Sequence, residues 1–144
     1  MSFQAVRAVF ETAVIDALAG LATPVPCYVA NQAYTVPDAG SEYATVDLQF
    51  GATTFKTLGG NLEQLQGSLV VECYSAKGTG PARSQEIITP VMQALNDLNS
   101  CTGYLPTGAV GWVGDMNGPT FQPLDSSPFF LTRLSVAVTA RYEA

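Results

Sequence analysis

The chain has 144 residues, of which 47% are hydrophobic and only 12% are charged, a composition that excludes a disordered protein. No apolar run approaches the roughly 20 residues of a membrane span, and no secretory signal begins the chain, so we expect a globular protein made in the cytoplasm, with no membrane partner. The net charge of −6 disfavours a function that depends on binding the phosphates of DNA.

The first predicted element is an amphipathic helix. Ser2 is a favourable N-terminal cap, and Gly20 and Pro24 end the helix. Its apolar residues recur at helical spacing: Val6, Phe10, Ala13, Val14, Ala17, Leu18 and Leu21. One side of this helix is therefore expected to be buried. A short strand is predicted next, at residues 27–30.

A loop at residues 31–41 follows, and it is rich in turn-forming residues. It nevertheless contains Tyr34 and Val36, followed by Pro37 and Asp38. A free monomer gains little by holding aromatic and apolar side chains on a surface loop. We therefore predict that Tyr34, Val36, Pro37 and Asp38 form an interface with a neighbouring subunit or another protein.

Three segments alternate apolar with polar residues, as strands with one buried face do. Their apolar series are Ala44, Val46, Leu48 and Phe50, then Leu69, Val71 and Cys73, and finally Leu134, Val136, Val138 and Ala140. One-sided strands are typical of antiparallel or mixed sheets rather than buried parallel ones. The predicted fold class is α+β, with a single antiparallel or mixed β-sheet and two helices packed on one face.

A second helix is predicted to begin at Pro81, a favourable first-turn residue, and to end near residues 99–100. Pro90 lies inside this helix and removes one backbone hydrogen bond. We therefore expect a kink there, or a shorter helix capped by Thr89.

The last third of the chain is rich in glycine and proline, which predicts irregular structure around short strands at residues 109–113 and 120–124. No internal repeat, low-complexity tract or linker divides the sequence. Residues 1–144 are therefore predicted to form a single domain.

Few residues suggest catalysis. Histidine, the commonest general base and metal ligand, is absent. Asp115 and Asp125 flank a glycine-rich turn, but a catalytic pair of acids needs a separation that loop spacing does not establish. Ser75 and Lys77 resemble a serine–lysine pair, yet they are only two residues apart at a strand end. We predict no catalytic residues and no enzyme activity.

The three cysteines, Cys27, Cys73 and Cys101, are odd in number, far apart and free of any C-x-x-C pair. This pattern favours buried thiols over a disulfide framework or a zinc site. Neither a metal nor another cofactor is therefore predicted.

The stretch that most resembles a phosphate-binding loop runs from Lys77 to Pro81. A P-loop has two glycines five positions apart, followed by lysine, whereas Gly78 and Gly80 are two apart and the lysine precedes them. A dinucleotide-binding loop would have a third glycine where Arg83 stands. The favoured interpretation is a turn into the second helix, with phosphate binding as a minor alternative.

The order of the elements is distinctive. It comprises an amphipathic N-terminal helix, a proline-rich entry to the first strand, a strand ending at Tyr74 and Ser75, the turn from Gly78 to Arg83 into a helix, and a last strand closing on Ala140, Arg141 and Tyr142. This order resembles that of the tail terminator proteins of long-tailed bacteriophages, and the resemblance covers most of the chain.

The resemblance implies a homohexameric ring at the head-proximal end of the virion tail, assembled in the host cytoplasm. Such a ring binds the tail tube protein, stops its polymerisation and presents the surface that joins a head–tail connector protein. DNA would pass through the ring without specific binding, consistent with chains that each carry a net charge of −6.

Two alternatives remain at the level of sequence. Another head–tail completion protein or a tail tube subunit would share this composition. A small-ligand-binding module is the alternative outside virion structure.

Overall fold

The computed structural model describes residues 3–29, 33, 35, 41–55, 62–77, 81–98, 109–123 and 129–143. Seven elements lie in these ranges. In chain order they are α1 (Phe3–Ala19), β1 (Cys27–Val29), β2 (Tyr43–Phe55), β3 (Leu62–Ala76), α2 (Pro81–Asp97), β4 (Ala109–Pro123) and β5 (Phe129–Glu143).

The strands form one five-stranded sheet in the order β1-β2-β3-β5-β4. Strand β1 runs parallel to β2, and the other neighbouring strands are antiparallel. The sheet is therefore mixed, and both helices pack against it. The predicted α+β class is confirmed.

The core lies between the helices and one face of the sheet. Neighbouring strands align their apolar residues in rows, so that Val46 lies beside Val71 and Val71 beside Leu134. Helix residues join the same buried cluster: Val6, Phe10, Val14 and Leu18 from α1, and Ile87, Ile88, Val91 and Leu95 from α2. Full burial of such a side chain contributes roughly 1.5–3 kcal/mol, so this two-layer core supplies most of the stability.

Helix α2 begins at Pro81 as predicted, but it continues through Pro90 to Asp97. The expectation of a shorter helix capped by Thr89 is wrong. The Thr89 hydroxyl instead donates a 2.8 Å hydrogen bond to the carbonyl of Gln85, one turn earlier in the same helix. Because the residues after Pro90 include the fully buried Val91 and Leu95, core packing offsets the cost of the proline.

Strand β4 replaces the two short strands that the sequence predicted. It pairs with β5 along its length. The glycine-rich stretch lies within β4 at two register shifts, one after Val113 and one after Asn117. Gly118 has a φ of 103°, and a Cβ atom there would lie 2.8 Å from the carbonyl oxygen of Arg133. Glycine at this position therefore allows the strand to continue past its irregular segment.

A second irregularity lies in the β2–β3 pair, where the register shifts between Phe50 and Ala52. The backbone of β2 passes very close to Gly67 at this bulge. A Cβ atom on Gly67 would lie 2.5 Å from the carbonyl oxygen of Gln49. Gly51, on the bulged strand itself, has ordinary space, because its Cβ would lie 3.8 Å from the nearest atom, the carbonyl oxygen of Gln66.

We predict that Gly67→Ala destabilises the protein by about 1–3 kcal/mol, because a methyl group there must displace backbone. The control, Gly51→Ala, should change the free energy of unfolding by less than about 0.5 kcal/mol. Urea denaturation of both variants measures the difference. Equal stability of the two variants would contradict the close approach at Gly67.

Candidate interface surfaces

The two described helices leave one face of the sheet uncovered, which we call the open face. In β2, β3 and β5 it presents mainly small or polar side chains that are exposed or half-buried: Thr45, Asp47, Gln49, Gln66, Ser68, Val70, Glu72, Arg133, Ser135, Ala137 and Thr139. The hydroxyl oxygens of Ser68 and Ser135 lie 3.2 Å apart across β3 and β5. The open face is therefore a weakly charged surface that is chemically suited to contact another protein.

An aromatic cluster occupies one end of the open face. The rings of Tyr43 and Tyr74 stack with centroids 4.5 Å apart, and Phe129 meets them edge-on at 5.4 and 6.2 Å. Tyr28 lies 6.4 Å from Tyr43, and the Tyr74 hydroxyl donates a 2.7 Å hydrogen bond to Glu72. Sequence analysis missed this cluster, because the strand register that aligns residues from four strands leaves no local pattern.

The two edges of the sheet differ. On the β2 side, the described residues of β1 pair with residues 44–46, and Arg7 donates a 2.6 Å hydrogen bond to the carbonyl of Leu48 just beyond. Residues 51–54 are exposed. On the other side, β4 carries two register shifts, the exposed Asp115 and the half-buried Pro119. Charges, proline and bulges are the features that usually prevent a sheet edge from pairing with another strand.

Arg83 links α2 to the segment that precedes β2 through an ion pair. Its guanidinium binds the Glu42 carboxylate in a bidentate ion pair with contacts of 2.7 and 2.8 Å, and it also donates to the carbonyl of Thr23 at 3.2 Å. These hydrogen bonds to Glu42 raise the pKa of Arg83 above its ordinary value. Arg83, at the position where a dinucleotide-binding loop would have glycine, therefore links α2 to the segments that contain Thr23 and Glu42.

Glu11 of α1 is a buried acid, only 6% exposed. Its Oε1 atom lies 3.6 Å from Nε of Arg7 and accepts no hydrogen bond from the described residues. Burial raises the pKa of Glu11, an effect that Arg7 partly opposes and the nearby Asp47 reinforces. Ionised Glu11 is therefore a local cost to the fold at neutral pH.

We predict that Glu11→Gln stabilises the protein at pH 7. The raised pKa means that folded Glu11 holds a proton more tightly than unfolded Glu11, so the wild type loses stability as pH rises above the ordinary glutamate pKa, 4.5, through the folded value. The variant has no such loss, and its advantage should vanish as pH falls towards 4.5. Thermal unfolding across this range measures the advantage.

The matched control for removing one charge from α1 is Asp16→Asn, since Asp16 is exposed. If Glu11→Gln were less stable than the wild type at pH 7, or if its advantage did not change with pH, the assignment of Glu11 as a penalised buried acid would be wrong.

The residues considered for catalysis, Ser75 with Lys77 and Asp115 with Asp125, do not form catalytic pairs among the described residues. Ser75 is 2% exposed, and its hydroxyl donates a 3.4 Å hydrogen bond to the carbonyl of Phe130, while Lys77 is exposed just after β3 ends. Asp115 is exposed on β4, and its suggested partner Asp125 lies outside the described residues. No arrangement for nucleophilic or acid–base catalysis is formed by these groups within the described ranges.

Cys27 is half-buried and Cys73 is buried. Burial raises the pKa of each thiol to about 12. Both residues are paired in register with Ala44, one on each side of β2, so a whole strand separates them. Cys101 lies outside the described residues. The two described thiols are therefore protonated and far too distant for a disulfide.

We predict that Cys27 and Cys73 resist Ellman's reagent in the folded protein, because a thiol of pKa about 12 is only about one part in 10⁴ thiolate at pH 8. A Cys101→Ser variant isolates the two thiols. They should react within minutes in guanidinium chloride and negligibly without it. Reaction of the folded variant at the rate of free cysteine would contradict their burial.

The interface residues predicted from sequence, Tyr34, Val36, Pro37 and Asp38, lie outside the described residues. Within the described ranges, no group of three or more histidine, cysteine, aspartate or glutamate side chains could hold a metal ion. The described helices include none that is long and apolar enough to cross a membrane.

Comparison with known proteins shows similarity in structure alone. No family model and no curated protein matches the sequence. One solved protein that carries no functional name superposes with a TM-score of 0.67 at 19% identity, covering 100% of this chain and 99% of its own. A chain from the virion of a native gene transfer agent (GTA) particle superposes with a TM-score of 0.61 at 18% identity, covering 99% of this chain and 100% of its own. At these identities the similarity establishes a shared fold over the full length.

Proposed function

We propose that this chain is a structural subunit of a phage-like virion, and more specifically a tail terminator. The observation that carries the proposal is the end-to-end structural similarity to a chain of the GTA virion. A match that covers nearly all of both chains supports the proposal that this chain, too, is one whole subunit of a virion. The order of elements points to the terminator among virion components.

The chemistry of the described residues supports a role without catalysis. The Ser75 hydroxyl donates to a backbone carbonyl, burial raises the pKa of the Cys27 and Cys73 thiols to about 12, and Asp115 is exposed on β4. In contrast, the open face and the sheet edges offer extended surface for protein contacts. A protein of this kind acts by binding and blocking.

In the proposed mechanism, six copies form a ring on the end of the tail tube. The ring covers the surface that would accept another tube subunit, so polymerisation stops, and it presents a new surface to the head–tail connector protein. Cyclic symmetry repeats the same contact around the ring and leaves its two ends different. Its negative chains would allow DNA to pass without holding it.

The test is electron microscopy of particles made by the source virus or gene transfer agent after deletion of this gene. We predict heads and tubes that form but do not join, with tubes longer than normal because nothing blocks their growing ends. Supplying the wild-type gene in trans should restore tails of normal length. Normal-length tails attached to heads in the deletion strain would contradict the terminator role and favour another structural role.

A solution measurement addresses the ring itself. The purified protein, alone or mixed with its tube protein, should give a mass about six times the 15.2 kDa of one chain, and ring-shaped particles in negative stain. A protein that stays monomeric under both conditions would count against a ring.

A further inference from the structure

The unguarded edge of β2 carries a further inference, which rests on the proposed ring. We propose that copies of this chain join by strand pairing, the edge of β2 at residues 51–55 in one copy binding the edge of β4 at residues 109–112 in the next. The two segments lie at the same end of the sheet on opposite sides, because Thr53, Leu65, Ala140 and Gly111 form a continuous row across four strands.

The backbone direction at Thr53 follows from two observed hydrogen bonds. Ala44 donates its N–H outward to Pro26, and Leu48 accepts outward from Arg7. Ala44 and Leu48 pair with Cys73 and Leu69 of β3. Residues of β2 that lie opposite odd-numbered residues of β3 therefore direct their backbone groups away from β3. Residues two apart in an antiparallel strand direct their backbone groups to the same side.

After the bulge, Thr53 pairs with Leu65, which is also odd-numbered. Thr53 therefore directs its N–H and C=O away from β3, to the outer edge of the sheet. Leu65 directs its N–H and C=O to Ala140 of β5, and Ala140 directs its own N–H and C=O back to Leu65. Gly111, which is paired with Ala140 on the other side, therefore directs its N–H and C=O away from β5, to the outer edge of β4. Thr53 and Gly111, the two ends of the row, thus each present a backbone hydrogen-bond donor and acceptor at an edge of the sheet.

No described residue pairs with either segment from outside. The described pairing of β1 with β2 runs to Val46, and β4 is paired with β5 on its inner side. An unpaired strand edge is a template for another strand, and natural edges are usually guarded by charge or proline. Residues 51–55 and 109–112 contain neither, and the bulge of β2, a third kind of guard, ends before Ala52. The guards on β4, including Asp115 and Pro119, begin only beyond residue 113.

The topology favours a second copy as the occupant. Strands β2, β3, β5 and β4 alternate in direction, so β2 and β4 run in opposite directions at the two edges. A copy related by rotation about an axis along the strands therefore places its β2 antiparallel to the β4 of its neighbour. Because the two contacting segments differ, the contact is heterologous and can repeat until a ring closes. Neither segment brings a charge that would oppose the pairing.

The test compares two substitutions at one exposed position. Thr53→Pro removes the outward N–H and leaves the ladder to β3 intact, whereas Thr53→Val keeps that N–H. The wild type and Thr53→Val should form rings, and Thr53→Pro should be a folded monomer at concentrations where the wild type is assembled. Light scattering and negative stain report assembly, and circular dichroism with thermal unfolding reports the fold.

Hydrogen exchange of the wild type gives an independent measurement if Thr53→Pro does not fold. The outward-facing amides, those of Thr53, Phe55, Ala109 and Gly111, should exchange at least about tenfold more slowly in the ring than in the diluted monomer. Rings formed by Thr53→Pro, or unchanged exchange at both segments, would overturn strand pairing and leave the terminator proposal standing. Protection that appears only when tube protein is added would make that protein the occupant and overturn pairing between copies. A wild type that never assembles would overturn both proposals.

Discussion

Burial of a single face of the sheet beneath α1 and α2 is the constraint on which the rest of the structure depends. Val46, Val71 and Leu134 lie in one row across three strands, each at most 1% exposed, and residues from both helices complete the same cluster. The hydrophobic effect acts on this side of the sheet, because there the helices exclude water. The opposite face contributes less to that core, so its small and polar side chains are free to meet a partner.

Outside the core, polar contacts link the helices to β2 and to the segment that precedes it. Arg83 joins α2 to Glu42 ahead of β2, and Arg7 covers the carbonyl of Leu48 where β1 stops. Beyond that point the edge of β2 is exposed, while much of β4 is irregular. Each edge thus has one stretch without charge or proline, residues 51–55 on β2 and 109–112 on β4, and these are the stretches proposed to join neighbouring copies.

Local patterns in the sequence were sufficient to predict much of the fold. Alternation along β2, β3 and β5 identified the buried face, and helical spacing identified the buried side of α1, because side-chain periodicity follows directly from backbone geometry. The start of α2 at Pro81 was also predictable. Local rules were wrong at Pro90 and in the glycine-rich part of β4, where core packing and pairing with β5 outweigh propensity.

The sequence by itself therefore determined the fold class and the core-facing residues, since both depend on residue type and short-range spacing. The absence of a catalytic site stays a prediction. The interface predicted at Tyr34 and its neighbours stays a prediction. Only the tertiary structure decided the strand order, the ion pair that joins Arg83 to Glu42, and the row that ends at Thr53 and Gly111. The ion pair joins residues 41 positions apart. The strand order and the row depend on how helices and strands pack together, which no local pattern encodes.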